Sequence, residues 1–151
     1  MAPDQIERET TIAAPVERVW SLLTQAEHIG AWFGDAGAEI DLRPGGALVL
    51  RWAEHGTVHG EVVAVEPHSR FAYRWAASTA QGDAELVDGN STLVEFTLAP
   101  ERDGTRLRVV ESGFAALDVS DEERASKVAG NTEGWRSELG DLREYADRVS
   151  V

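Results

Sequence analysis

The sequence contains no cysteine. Disulfide staples, thiolate metal sites and cysteine nucleophiles are therefore excluded, and the fold must rest on its hydrophobic core. Lysine is nearly absent as well. Lys127 stands alone beside thirteen arginines, and these 14 basic residues face 27 acidic ones, for a formal net charge of -13. No basic stripe offsets that charge, so a polyanion meets repulsion over most of the surface, and nucleic acid and anionic membrane are poor partners. No stretch approaches the roughly 20 apolar residues of a membrane span, and residues 1–9 lack the apolar run of a signal peptide. A cytoplasmic location without membrane insertion is expected. Also missing are the Gly-x-Ser-x-Gly elbow, a phosphate loop and a dinucleotide fingerprint, since Gly45-Gly46 falls in a strand-joining turn. Serine hydrolysis and nucleotide cofactors find no support, and no cofactor or metal is expected.

What is present is ordinary globular composition: 42% hydrophobic and 27% charged residues in a chain of 151. That length suits one domain over residues 1–151 with its own core. Residues 6–13 read as a strand running into Ala14-Pro15, a helix start. Val16, Val19, Trp20 and Leu23 recur at helical spacing. Thr24 and Glu27 have capping-box spacing for a second short helix that carries Ile29 to Trp32-Phe33 and stops at Gly34. Alternating patterns then mark strands over 38–42, 48–52, 57–66, 70–75, 92–98 and 106–111, with turns at Pro44-Gly45-Gly46, Pro67-His68 and Arg102-Asp103-Gly104. Residues 78–91 read as a long polar connection. Ser120 or Asp121 caps a final helix reaching about Val149, with Val128, Trp135, Leu139, Leu142 and Tyr145 along one stripe. Gly130, Gly134 and Gly140 each cost such a helix about 1 kcal/mol relative to alanine. Close backbone approach to a sheet is one reason for them, and a break near Gly130-Asn131 is the other. Helices segregated from a mostly antiparallel sheet define the α+β class.

This order of elements carries Ala14-Pro15-Val16-Glu17-Arg18-Val19-Trp20, Trp32-Phe33, Pro44-Gly45-Gly46, Gly60-Glu61-Val62 with Glu66-Pro67, and Phe71 to Trp75. Glu111-Ser112-Gly113-Phe114 and Gly134-Trp135 with Leu139 and Leu142 follow. Together these residues, over nearly the whole chain, resemble the START-like or SRPBCC superfamily. Within it they are similar to the subfamily of the activator of the ninety-kilodalton heat-shock protein ATPase. The resemblance implies a helix-grip fold: about seven curved antiparallel strands around a long C-terminal helix, two short helices after the first strand, and a cavity between sheet and last helix. It also implies members that bind or process apolar ligands.

The aromatic set Trp32, Phe33, Trp52, Phe71, Tyr73, Trp75, Phe114 and Trp135, with Leu139, is either core or the lining of that cavity. On strict alternation Glu111 shares the face of Leu107 and Val109, so its carboxylate points inward and needs a partner. Arg51 or Arg74 would supply one and tune it as a general base; a bulge near Gly113 would instead turn it outward. Glu111 is the one weak candidate for catalysis. His55 and His59 lie four apart in a turn and strand, which does not make a metal pair, though His59 offers a polar contact to a ligand. The leading expectation is a small-molecule-binding protein whose cavity takes an apolar, aromatic or lipid-like molecule. The alternatives are a cyclase, dehydratase or hydrolase-type enzyme in the same cavity, and a stress-response or chaperone-associated protein. A homodimer is allowed by all three.

Overall fold

The computed structural model describes residues 4–33, 36–53, 56–76 and 91–149. Strand β1 (Gln5–Ile12) leads into helices α1 (Val16–Thr24) and α2 (Ala26–Trp32). Six strands follow: β2 (Ala38–Ile40), β3 (Ala47–Trp52), β4 (Gly56–Glu66), β5 (Arg70–Ala76), β6 (Ser91–Glu101) and β7 (Gly104–Ser112). A 3-10 turn (Phe114–Ala116) then precedes helix α3 (Asp121–Val149). The expected stop at Gly34, His55 and nearly all of the 78–91 connection lie outside the described residues.

The seven strands form one sheet in the order β1-β7-β6-β5-β4-β3-β2, antiparallel throughout. Because β1 and β2 occupy opposite edges, the α1–α2 pair must cross from one side of the sheet to the other. Alternation sets the faces. Phe71 and Tyr73 of β5, Val94, Phe96 and Leu98 of β6, and Leu107 and Val109 of β7 are all buried on the concave side. The convex side carries cross-strand ion pairs such as Glu7–Arg108, Arg70–Glu95 and Arg51–Glu39. A register shift between Val62 and Ala64 bends β4, adding curvature to the sheet.

Helix α3 crosses the concave face and buries Val128, Trp135, Leu139, Leu142 and Ala146. Each large side chain removed from water there contributes about 1.5–3 kcal/mol, enough to hold a helix whose other faces are polar. Ser120 is its N-cap: the Glu123 N–H donates to the Ser120 hydroxyl at 3.1 Å.

Two expectations are corrected. The helix runs unbroken through Gly130-Asn131, and a Cβ placed at Gly130, Gly134 or Gly140 would meet nothing within 4 Å. Among the described residues nothing stands close to these glycines, so close approach to the sheet does not explain them. Thr24 is not the cap of α2: it ends α1, its hydroxyl donating back to the Trp20 carbonyl at 2.8 Å, and Gln25 precedes α2 without a side-chain cap.

Candidate functional site

The alternation of β7 survives to its end, and Glu111 points inward. It is 0% exposed. Gly113, at φ +94°, makes the left-handed turn two residues later, so the chain leaves the sheet after the carboxylate has been placed. The expected arginine partner is a correction. Arg51 pairs with Glu39, and Arg74 is exposed on the convex face. Neutral donors surround Glu111 instead. The Trp135 indole donates to Oε1 at 2.9 Å, and the Asn131 amide reaches Oε1 at 3.0 Å and Oε2 at 3.1 Å. The Thr92 hydroxyl and the Trp75 indole donate to Oε2 at 2.5 and 3.0 Å. Trp75 also donates to the Thr92 oxygen at 3.1 Å, which leaves the Thr92 proton free to point at the carboxylate. Five contacts from β5, β6 and α3 thus occupy an acceptor-only group, a satisfied network of the kind a buried carboxylate requires.

Rings pack directly on this network. Phe33, which closes α2, lies 5.7 Å from Trp75 and 5.5 Å from Trp135 in stacked orientation, 5.0 Å from Trp32 and 5.3 Å edge-on to Trp52. It is 6% exposed and so is a hub of the cluster rather than a residue at its rim. Trp52 and Trp75 are half-buried and form the outer part. Glycine at position 60 makes room for Trp75: a Cβ there would lie 2.4 Å from the Arg74 carbonyl oxygen and 3.3 Å from the Trp75 Cβ.

Tyr73, Val94 and Glu111 form one cross-strand row on the concave face. Tyr73 is 2% exposed, and its hydroxyl is buried with no hydrogen-bond partner among the described residues. Burial, and then the negative charges of Glu111 and Glu138, push its phenol well above the ordinary tyrosine range. Tyr73 also lines a cavity together with Leu23, Ile29, Trp32, Phe33 and Phe96, among others. Its free space is about 10 Å³, room for roughly one water. This cavity is walled by α1, α2 and the sheet, with no residue from α3. Where α3 crosses, Trp135 packs directly on Phe33, Trp75 and Phe96.

Of the other expected residues, Phe71 stacks on Phe96 beside Tyr73, and Leu139 is buried on the inner stripe of α3. Trp32 spends its indole N–H on the Leu22 carbonyl at 2.7 Å. Phe114 is fully buried, its carbonyl accepting from Arg124 at 2.9 Å. His59 is not brought to the site. It sits opposite Val49 on the convex side, where the neighbouring pairs Leu48–Gly60 and Leu50–Val58 face inward. Thr92 and Asn131 complete the network without having been singled out in the sequence. Asn131 lies four residues before Trp135, on the same helix face, and that spacing was the available signal. Among the described residues no group of three or more His, Asp or Glu could hold a metal ion, and no helix is long and apolar enough to cross a membrane.

An open, curved antiparallel sheet gripping a C-terminal helix, with a helix pair after its first strand, defines the START-like, SRPBCC class of α+β proteins. Within that class, residues 13–147 match the family described as activator of Hsp90 ATPase homolog 1-like protein, and the chain belongs to this family. Among solved structures, protein MLL2253 from Mesorhizobium loti is 26% identical with a TM-score of 0.78, over 97% of this chain and 99% of its own. DynU16, a protein in the dynemicin biosynthetic locus, is 24% identical with a TM-score of 0.75; the match covers 96% of this chain but 48% of DynU16. The Aha1 dimer from Colwellia psychrerythraea shares the fold at 17% identity and a TM-score of 0.70, over 93% of each chain. No curated protein matches the chain.

Proposed function

We propose that this chain is a small-molecule-binding protein whose ligand has an apolar or aromatic body. The ligand lodges between the α1–α2 pair and the sheet, against the Phe33 cluster. One observation carries the reading. The fully buried Glu111 carboxylate is reached through a continuous set of rings whose outer members, Trp52 and Trp75, stay partly exposed. Rings packed only for stability gain nothing from leaving two indoles partly in water, whereas a binding site needs an apolar surface that a ligand can cover.

The free space beside Tyr73 holds about one water, so a larger ligand enters by moving side chains. The α1–α2 wall is the part suited to move. Helix α2 is seven residues long and has no side-chain cap, so it is held by the packing of Phe33 and the Trp32–Leu22 hydrogen bond more than by its own backbone. An enzyme reading is weaker, because the acceptor positions of Glu111 are already filled by donors and the carboxylate is not free to take a proton from a substrate.

Titration of the intrinsic tryptophan fluorescence with 2-naphthol, flavone and a long-chain alcohol tests the proposal. Saturable quenching by at least one of them, weakened in Trp75→Leu, is expected. A linear, non-saturating response to every compound overturns it.

A further inference from the structure

The charge balance around Glu111 is uneven. The donors that hold this carboxylate among the described residues are Trp75, Thr92, Asn131 and Trp135, all of them neutral. Neutral donors spread its charge without cancelling it. The chain as a whole carries -13, so no long-range positive field compensates.

The rings on either side of this charge are the ones that attract cations. Trp75 and Trp135 touch the carboxylate through their N–H groups, and Trp52, Trp75, Trp135 and Phe33 pack with centroids 5.3–6.3 Å apart. Indole faces are the strongest cation–π partners among side chains. In the same cross-strand row, the Tyr73 hydroxyl has no partner among the described residues. A hydroxyl in that state keeps its oxygen lone pairs to accept from an incoming N–H.

We infer that the ligand of this site carries a protonated nitrogen: an ammonium on an apolar or aromatic body, its charge set against the Trp52, Trp75 and Trp135 rings and the Glu111 carboxylate, with an N–H donated to Tyr73. This rests on the binding reading above and narrows it. A carboxylate-bearing molecule of the same shape, such as a fatty or aromatic acid, is rejected by the same charges.

The test is a charge series on one body: 1-naphthylmethylamine, 1-naphthalenemethanol and 1-naphthoate, titrated calorimetrically at pH 7 in low salt. The cation is expected to bind about tenfold more tightly than the alcohol, a difference of about 1.4 kcal/mol, and the anion not at all. Added salt should narrow the gap. Equal affinity for cation and alcohol overturns the inference while leaving the binding reading intact. No binding by any of the three overturns both. In Glu111→Gln the preference for the cation should vanish. In Tyr73→Phe, which removes only an unpaired hydroxyl, the amine should bind about threefold more weakly while the alcohol changes less. Thermal unfolding of each variant establishes that it is folded; if Glu111→Gln is not, Tyr73→Phe and the unmodified series still decide the matter. Retention of the full preference in a folded Glu111→Gln protein also overturns it.

Discussion

The indole nitrogen of Trp135 donates to the Glu111 carboxylate at 2.9 Å, and so ties the middle of α3 to the end of β7 through two buried groups. Removing the carboxylate leaves the buried indole N–H unsatisfied, and removing the indole takes one of two donors from Oε1, so the two substitutions should not add. Trp135→Phe keeps most of the ring and removes the donor; a loss of about 1–2 kcal/mol is expected. Glu111→Gln turns an amide NH2 toward donors and should cost about 2–4 kcal/mol. The double variant should be less destabilised than the sum by about 1 kcal/mol, measured by urea unfolding. Strict additivity would show that the two groups do not interact in solution.

Tyr73 offers the opposite case, a polar group whose removal costs nothing. Its buried hydroxyl has no partner among the described residues, so Tyr73→Phe should leave stability unchanged or raise it by up to about 1 kcal/mol. The pH dependence follows from the raised phenol. Folded Tyr73 holds its proton more tightly than unfolded Tyr73. The stability this represents is fully present below the ordinary phenol value of about 10 and is lost as pH rises from there toward the folded value. Unfolding midpoints measured from pH 8 to 11.5 should fall more steeply above about pH 10 in the parent than in Tyr73→Phe. Parallel curves would mean that the hydroxyl is solvated.

Much of this arrangement was legible in the sequence because it is set by period. Strict alternation put Glu111 on the face of Leu107 and Val109, and there it lies; the alternative, a bulge near Gly113 turning it outward, does not occur. Trp135, Leu139 and Leu142 had to line one side of α3, and they do. What period cannot supply is which residues of different elements meet. Arg51 and Arg74 were plausible partners by charge, yet both occupy the opposite face of their strands, and the network is closed by Thr92 and Asn131. Asn131 was obscured by its neighbour Gly130, which read as a helix break. Phe33 read only as core or cavity lining, and it is the orientation of α2, invisible in any local pattern, that sets its ring against both Trp75 and Trp135.

The glycines of α3 yield a prediction that runs against their first reading. With no atom within 4 Å of a Cβ at positions 134 and 140, alanine there fits without strain and removes the entropic cost of glycine in a helix. Gly134→Ala and Gly140→Ala should each stabilise by roughly 0.5–1 kcal/mol and raise the melting temperature by about 2–4 °C, additively. A fall in melting temperature at either position, by calorimetry, would mean that the helix approaches another surface there.

Arg124 supplies the last prediction, since nothing in its local sequence advertises its task. From the first turn of α3 its guanidinium reaches back over the connecting segment and donates to the carbonyls of Phe114 at 2.9 Å, Leu117 at 2.9 Å and Val119 at 3.2 Å. Two of these carbonyls already accept a backbone N–H, Phe114 from Leu117 at 3.2 Å and Leu117 from Val119 at 2.9 Å, and the guanidinium adds a charge-assisted bond to each and one to Val119. The guanidinium also pairs with Asp121 at 2.7 Å, but Asp121 is fully exposed, and an ion pair in that setting is worth at most about 1 kcal/mol. The two roles can be separated. Arg124→Met should cost about 2 kcal/mol by urea unfolding, because charge-assisted hydrogen bonds to three carbonyls are lost and water recovers only part of them. Asp121→Ala should change stability by less than about 0.5 kcal/mol. If the two variants lose the same amount, the carbonyl clamp contributes nothing beyond the ion pair. If Arg124→Met alone is weakened, the guanidinium adds to the hold that Asp4 and the backbone already have on the segment carrying Phe114 into the core, and the amide protons there should exchange faster in that variant than in the parent.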